Sequence, residues 1–174
     1  MKSAAEARSK TFTWTAPLSV LQAGAGMSGL EYLTALRDGH LPRPPMAALM
    51  NLELREVERG RVRFICTPGE EHYNPLGSVH GGLMCSALDT AAGCAAHTTL
   101  AAGVGYTSIE IKVSFMRPVT VDTGILTTTG TVTKEGRRVI FADAVVQDAM
   151  GRTVAAGSSS LLVIPGDPPA ATNG

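Results

Sequence analysis

A chain of 174 residues is long enough for one domain with a complete apolar core, so it needs no disulfides to hold it. Its 15 Lys and Arg balance 15 Asp and Glu, and a formal net charge of zero supplies no global field favouring nucleic acid or an anionic membrane. Cys66, Cys85 and Cys94, without metal-ligand spacing, fit packed thiols in a reducing cytoplasm, and no apolar run marks an export signal or a membrane span.

Residues 1–26 are small, polar and glycine-rich toward Gly24-Ala25-Gly26, which predicts a loosely ordered arm. Ser28 is placed to cap a short helix over Gly29–Arg37, with Leu30, Leu33 and Leu36 on one face and Gly39 closing it. Leu41-Pro42-Arg43-Pro44-Pro45 reads as an extended connector. Alternating apolar residues from Leu49 to Val57, the turn Glu58-Arg59-Gly60 and the run Val62–Thr67 predict a hairpin.

The stretch from His80 to about Leu100 has apolar residues at three- and four-residue steps and predicts the one long helix. It is unusually small-sided, so its neighbours are able to approach its backbone. Four more alternating runs follow at Tyr106–Met116, Ile125–Thr133, Val139–Gln147 and Thr153–Ile164, separated by turn residues. Six strands with one small-sided helix inserted among them predict an α+β domain, an antiparallel sheet curled round a central helix. Residues 27–164 form that domain, and 165–174 read as a flexible tail.

The chemistry concentrates at the start of the long helix. Free N–H groups at a helix N-terminus carry partial positive charge, and Gly81 and Gly82 would let a ligand reach them without meeting a Cβ. Asp89 is the only acid on the helix, flanked by Cys85, Ala87, Leu88, Ala91 and Ala92, so its carboxylate needs a partner or a task. Asn74, in the loop before the helix, is either a turn former or a side-chain amide for a water or a carbonyl. Thr107 shares the parity of Ile109, Ile111, Val113 and Phe115, which places its hydroxyl on the inward face of its strand, in reach of Asp89.

Gly81 and Asp89 lie eight residues apart, about 12 Å along a helix. One reacting carbonyl must sit roughly 3 Å from both its polariser and its base or nucleophile. Two copies packed about a twofold axis would meet this condition, each lending its Asp89 to the other's Gly81. His72 and His80 lack a third ligand at metal spacing, and His80 suits a cap or a loop anchor. No Gly-x-Ser-x-Gly elbow, Walker loop or Gly-x-Gly-x-x-Gly occurs. Arg117, Lys134, Arg137 and Arg138 are candidates for holding the phosphates of a nucleotide-bearing substrate.

The run Glu71-His72-Tyr73-Asn74-Pro75-Leu76-Gly77-Ser78-Val79-His80-Gly81-Gly82, then Leu88-Asp89, Gly105-Tyr106-Thr107 and Phe115-Met116-Arg117-Pro118-Val119, resembles the hotdog-fold acyl-CoA thioesterases of the phenylacetic-acid-degradation (PaaI-like) type. The likeness covers about Met27–Ile164. It implies a homodimer or dimer of dimers with sites at the subunit interface, and hydrolysis of an acyl-CoA to a carboxylic acid and CoA without metal or other cofactor. By the same resemblance the Gly81 N–H polarises the thioester carbonyl with Asn74 assisting, while Asp89 of the partner subunit is base or nucleophile beside Thr107; His80 and Gly82 fall among the substrate-binding positions. Two alternatives stay open: a hotdog hydroxyacyl-thioester dehydratase, with His72 in the place of its histidine but Ser86 in the place of its acid, and an acyl-CoA-binding domain without turnover.

Overall fold

The computed structural model describes residues 6–166; the outer ends of the arm (1–5) and of the tail (167–174) lie outside the described residues. In chain order the helices are α1 (Pro17–Ala23), α2 (Gly29–Arg37), α3 (Pro45–Leu49) and α4 (Gly81–His97). The strands are β1 (Leu52–Glu58), β2 (Arg61–Cys66), β3 (Gly105–Phe115), β4 (Leu126–Lys134), β5 (Val139–Gln147) and β6 (Thr153–Ile164). They form one six-stranded antiparallel sheet in the order β1-β2-β4-β5-β6-β3, which wraps α4.

Each element follows from local chemistry. At α2 the Ser28 hydroxyl accepts from the Glu31 N–H at 3.3 Å and the Glu31 carboxylate accepts from the Ser28 N–H at 2.8 Å, a reciprocal cap that satisfies two donors the helix itself leaves open. The β1–β2 hairpin turns at Gly60, whose φ of 77° is costly for any residue with a Cβ. α4 is alanine-rich because the sheet comes close: a Cβ on Gly130 of β4 would lie 2.1 Å from the Ala91 carbonyl oxygen. Leu88, Ala91 and Ala95 of α4 are fully buried against Val62, Leu126, Ile140 and Leu161 of the sheet. Truncating Leu88 to alanine would cost about 2–5 kcal/mol.

Two expectations change. Part of the stretch read as a loosely ordered arm is helical: Pro17 starts α1 with its φ already suited to a helix, and Val20 is buried with Ala35 and Leu41. The connector after Leu41 likewise ends in α3, again begun by a proline. Among the described residues no helix is long and apolar enough to cross a membrane.

Candidate functional site

The loop before α4 is built by Asn74. Its side-chain oxygen accepts from the N–H groups of Leu76 (2.9 Å) and Ser78 (3.3 Å), and its amide nitrogen donates to the Ser78 hydroxyl at 3.0 Å. The side chain therefore shapes the turn, and among the described residues one of its amide N–H groups has no partner. His80 is the N-cap of α4: its Nδ1 accepts from the Gly82 N–H at 2.8 Å. This removes the Gly82 N–H as a free donor and gives the His80 ring the role of a cap.

Capping of Gly82 leaves Gly81 as the open donor. Among the described residues its N–H meets no acceptor, because it is the first of the helix and the loop carbonyls turn elsewhere. The ring of Phe115 lies over it, 3.1 Å from where a Cβ would stand. Gly81, Phe115, Met116 and Arg117 line a hollow of about 420 Å³. Arg117 is exposed and donates to the Thr153 carbonyl, and among the described residues its other N–H groups meet no acceptor.

Asp89 is half-buried on α4 and accepts from the Ser108 hydroxyl at 2.8 Å. The partner is Ser108 and not Thr107, which is exposed and faces away. The reason is a bulge: Ser108 pairs with Leu161 and Glu110 with the next residue, Ser160, so Ile109 is an extra residue that reverses the alternation. Before it Tyr106 and Ser108 face α4; after it Val113 and Phe115 do. Tyr106 facing the helix from an even position while Val113 does so from an odd one is the mark a bulge leaves in the sequence, and it escapes a simple alternation rule. Asp89, Ser108, Ile109 and Ile111 line a second hollow of about 420 Å³.

Lys134, Arg137 and Arg138 are exposed at the β4–β5 turn and line neither hollow. Val139 pairs with Leu162 and Leu162 with Thr107, so this turn stands at the Asp89 end of the sheet, two strands or about 10 Å from β3. Arg117 is at the Gly81 end.

His72 anchors its loop, accepting from the Gly69 N–H through Nδ1 (2.9 Å) and facing the Leu49 carbonyl with Nε2 (3.3 Å). A ring with its lone pair committed to one backbone group and its N–H to another is a poor proton acceptor, which counts against the dehydratase reading. His97 lies between the rings of Tyr32 and Tyr106, 5.6 and 5.5 Å away, and burial holds its pKa below the ordinary value. Cys66 is buried and its thiol is pushed up to about 11 by burial, as a packing residue's would be. Among the described residues no group of three or more His, Cys, Asp or Glu side chains is placed to hold a metal ion.

Residues 76–155, from the loop before α4 into β6, match the family model of the thioesterase superfamily. A protein of Saccharolobus solfataricus, provisionally named an esterase, is 29% identical over 116 residues, covering 66% of this chain and 80% of that protein. Among solved structures, the Escherichia coli PaaI protein from the phenylacetic acid degradation operon superposes with a TM-score of 0.69 at 22% identity, over 80% of this chain and 97% of that one. A Streptococcus mutans protein solved with acetyl-CoA superposes with a TM-score of 0.61 at 19% identity, over 68% and 92% of the two chains. The wrapped-helix architecture and the solved structures agree that this chain has the hotdog fold, and its residues 76–155 are similar to the thioesterase superfamily.

Proposed function

We propose that the protein hydrolyses an acyl-CoA thioester to a free carboxylic acid and CoA, at a site to which two copies of the chain contribute. The observation that carries this reading is the pairing of one open backbone donor, the Gly81 N–H at the positive end of α4, with one hydrogen-bonded carboxylate, Asp89, on the same small-sided helix. The acetyl-CoA in the Streptococcus mutans neighbour and the esterase name of the archaeal relative favour a CoA thioester as the substrate.

The edge position of β3 supports a shared site. Among the described residues β3 pairs only with β6, and it exposes Ile109 and Phe115 (57% each) with Met116 beyond (53%), an apolar edge of the kind proteins cover. Antiparallel pairing of β3 with its copy, centred near Ile111, would set Ser108 and Asp89 of the partner subunit beside Phe115 and Gly81. That closes the gap of about 12 Å that one helix imposes between Gly81 and Asp89.

At such a site the Gly81 N–H donates to the thioester oxygen as negative charge develops on it; a single donor of this kind is worth about 2.7–4 kcal/mol elsewhere. Asp89 of the partner subunit attacks the carbonyl carbon or takes a proton from the water that does. Its position is held by the Ser108 hydroxyl. The C–S bond breaks, the sulfur leaves as CoA thiolate, and water supplies the oxygen of the acid and the proton of the thiol. Arg117 at one end of β3, and the Lys134, Arg137 and Arg138 turn at the other, are available for the CoA phosphates. Thiol release from a panel of acyl-CoAs by the wild type and Asp89→Asn tests the reading; comparable rates in the two would defeat it.

A further inference from the structure

A third hollow, of about 600 Å³, opens on the other flank of the α4 start from Arg117. Phe12, Met46, Leu49, Met50 and Leu83 give it apolar walls, and Gly82 and Ser86 form its floor. Its rim reaches His80 and Gly82, the residues on either side of Gly81. A thioester whose carbonyl rests on the Gly81 N–H thus has an apolar hollow to one side and the Arg117 hollow to the other.

The outer wall of this cavity is the extended segment before α1. The Arg8 guanidinium pairs with Glu70 at 3.3 Å, and the Lys10 ammonium donates to Asn51 at 3.2 Å and pairs with Glu71. These anchors bring Phe12 onto the cavity, and Trp14 stacks on Phe12 with ring centroids 5.1 Å apart. The segment lies outside residues 76–155, so it is a feature of this chain beyond the matched family region.

Met46 lines this cavity and also a second, more enclosed one of about 250 Å³, where Thr90, Cys94, Leu33, Leu36 and Phe64 are joined by the charged Arg37, Arg43, Glu53 and Arg55. Gly82, Ser86, Thr90 and Cys94 follow at four-residue steps along about 18 Å of α4, a row that winds by about a third of a turn from the first cavity to the second, and Met46 lines both.

We propose that the cavity is the acyl-chain site, that the arm segment Arg8–Phe12 closes it, and that Met46 sets the length of chain it takes. The inference rests on the thioesterase reading for its substrate, a straight-chain or aryl acyl group. A short chain fills the first cavity under Phe12. A longer one must displace Met46 to enter the second.

The test needs no turnover in its first arm. Trp14 is the single tryptophan of the chain and touches the lid residue, so its emission reports filling of the cavity. Butanoate, hexanoate, octanoate, dodecanoate and phenylacetate are titrated against the full-length wild type, Met46→Ala and Met46→Phe, each checked for an unchanged circular dichroism spectrum. Saturable quenching or shift is expected, with the tightest binder longer in Met46→Ala and shorter in Met46→Phe. In the second arm thiol release is measured: the ratio of kcat/KM for dodecanoyl-CoA to that for hexanoyl-CoA is expected to rise about tenfold in Met46→Ala and fall about tenfold in Met46→Phe, the effect of burying roughly two methylenes more or fewer. Phe12→Ala is expected to raise KM for all chains by removing the lid.

Binding that shifts in this way without thiol release from any acyl-CoA keeps the cavity and defeats the thioesterase reading. Active, folded variants with unchanged length preference and unchanged KM overturn the cavity assignment. A preference that moves with Met116 or Phe115 substitutions instead assigns the acyl chain to the hollow over Gly81.

Discussion

The Ser108 hydroxyl donates to the Asp89 carboxylate at 2.8 Å, and a one-residue bulge in an edge strand is what brings the two together. The bond spans the seam between the central helix and the last strand of the sheet. Among the described residues the other carboxylate oxygen has no hydrogen-bond partner, and Asp89 lines the hollow beside Ile109 and Ile111.

Asp89→Asn is expected to keep the fold, because the amide is nearly isosteric and can still accept from Ser108, and to lower kcat at least a hundredfold, because an amide serves neither as base nor as nucleophile. Thiol release and a thermal melt check both halves of the statement.

Ser108→Ala is expected to lower kcat about three- to tenfold through loss of one hydrogen bond that positions the carboxylate, with restoration by Ser108→Thr. Thr107→Ala, on the opposite face of the strand, is expected to stay within twofold of the wild type. The reverse ranking would mean that β3 runs without its bulge.

Arg117→Glu is expected to raise KM for acyl-CoA more than it lowers kcat, and added salt should mimic the effect in the wild type. The triple reversal of Lys134, Arg137 and Arg138 reads out the other end of the sheet. An unchanged KM in both variants would leave the CoA phosphates unassigned to these residues.

Homodimers of Asp89→Ala and of Gly81→Pro are each expected to lack an intact site, whereas mixed dimers regain one. After unfolding and random reassembly of equal amounts, half the dimers are mixed and half of their sites whole, giving about a quarter of wild-type activity. Verified mixed dimers as inactive as their parents would mean that each chain builds its own site.

Asp148 gives a stability prediction away from the site. Burial opposes its ionisation, but this is outweighed by the N–H donors of Arg152 (2.9 Å) and Met150 (3.0 Å) and by the Arg152 guanidinium (2.7 Å), which together hold its carboxyl below the ordinary value of 3.8. A carboxyl with a lowered folded-state pKa contributes stability that is present above its unfolded value and is lost as pH falls through the folded one. Asp148→Asn is therefore expected to melt below the wild type at pH 7, with the gap narrowing in acid below about pH 4. A gap that widens in acid would contradict the assignment.

The sequence by itself determined α2, the long helix, the six strands and the fold, though not the short helices α1 and α3. The bounds of α2, β5 and β6 follow from capping residues and alternation, and the small-sided run from Gly81 to His97 could only be a helix approached closely by a sheet. The spacing of Gly81 and Asp89 was equally legible, because helix rise converts eight residues into a distance. What only the tertiary structure decided are the relations that depend on a neighbour. Thr107 gave way to Ser108 because the bulge at Ile109 is set by pairing with β6, and a pairing register is a contact between strands some fifty residues apart. That Gly81 and not Gly82 keeps an open N–H was settled by the His80 ring capping Gly82, a choice among rotamers that the residue type leaves open. The same holds for the arm: its small polar residues read as loose chain, yet Arg8 and Lys10 find Glu70 and Glu71 across the fold, and their anchoring puts Phe12 on the cavity that lies beside the α4 N-terminus.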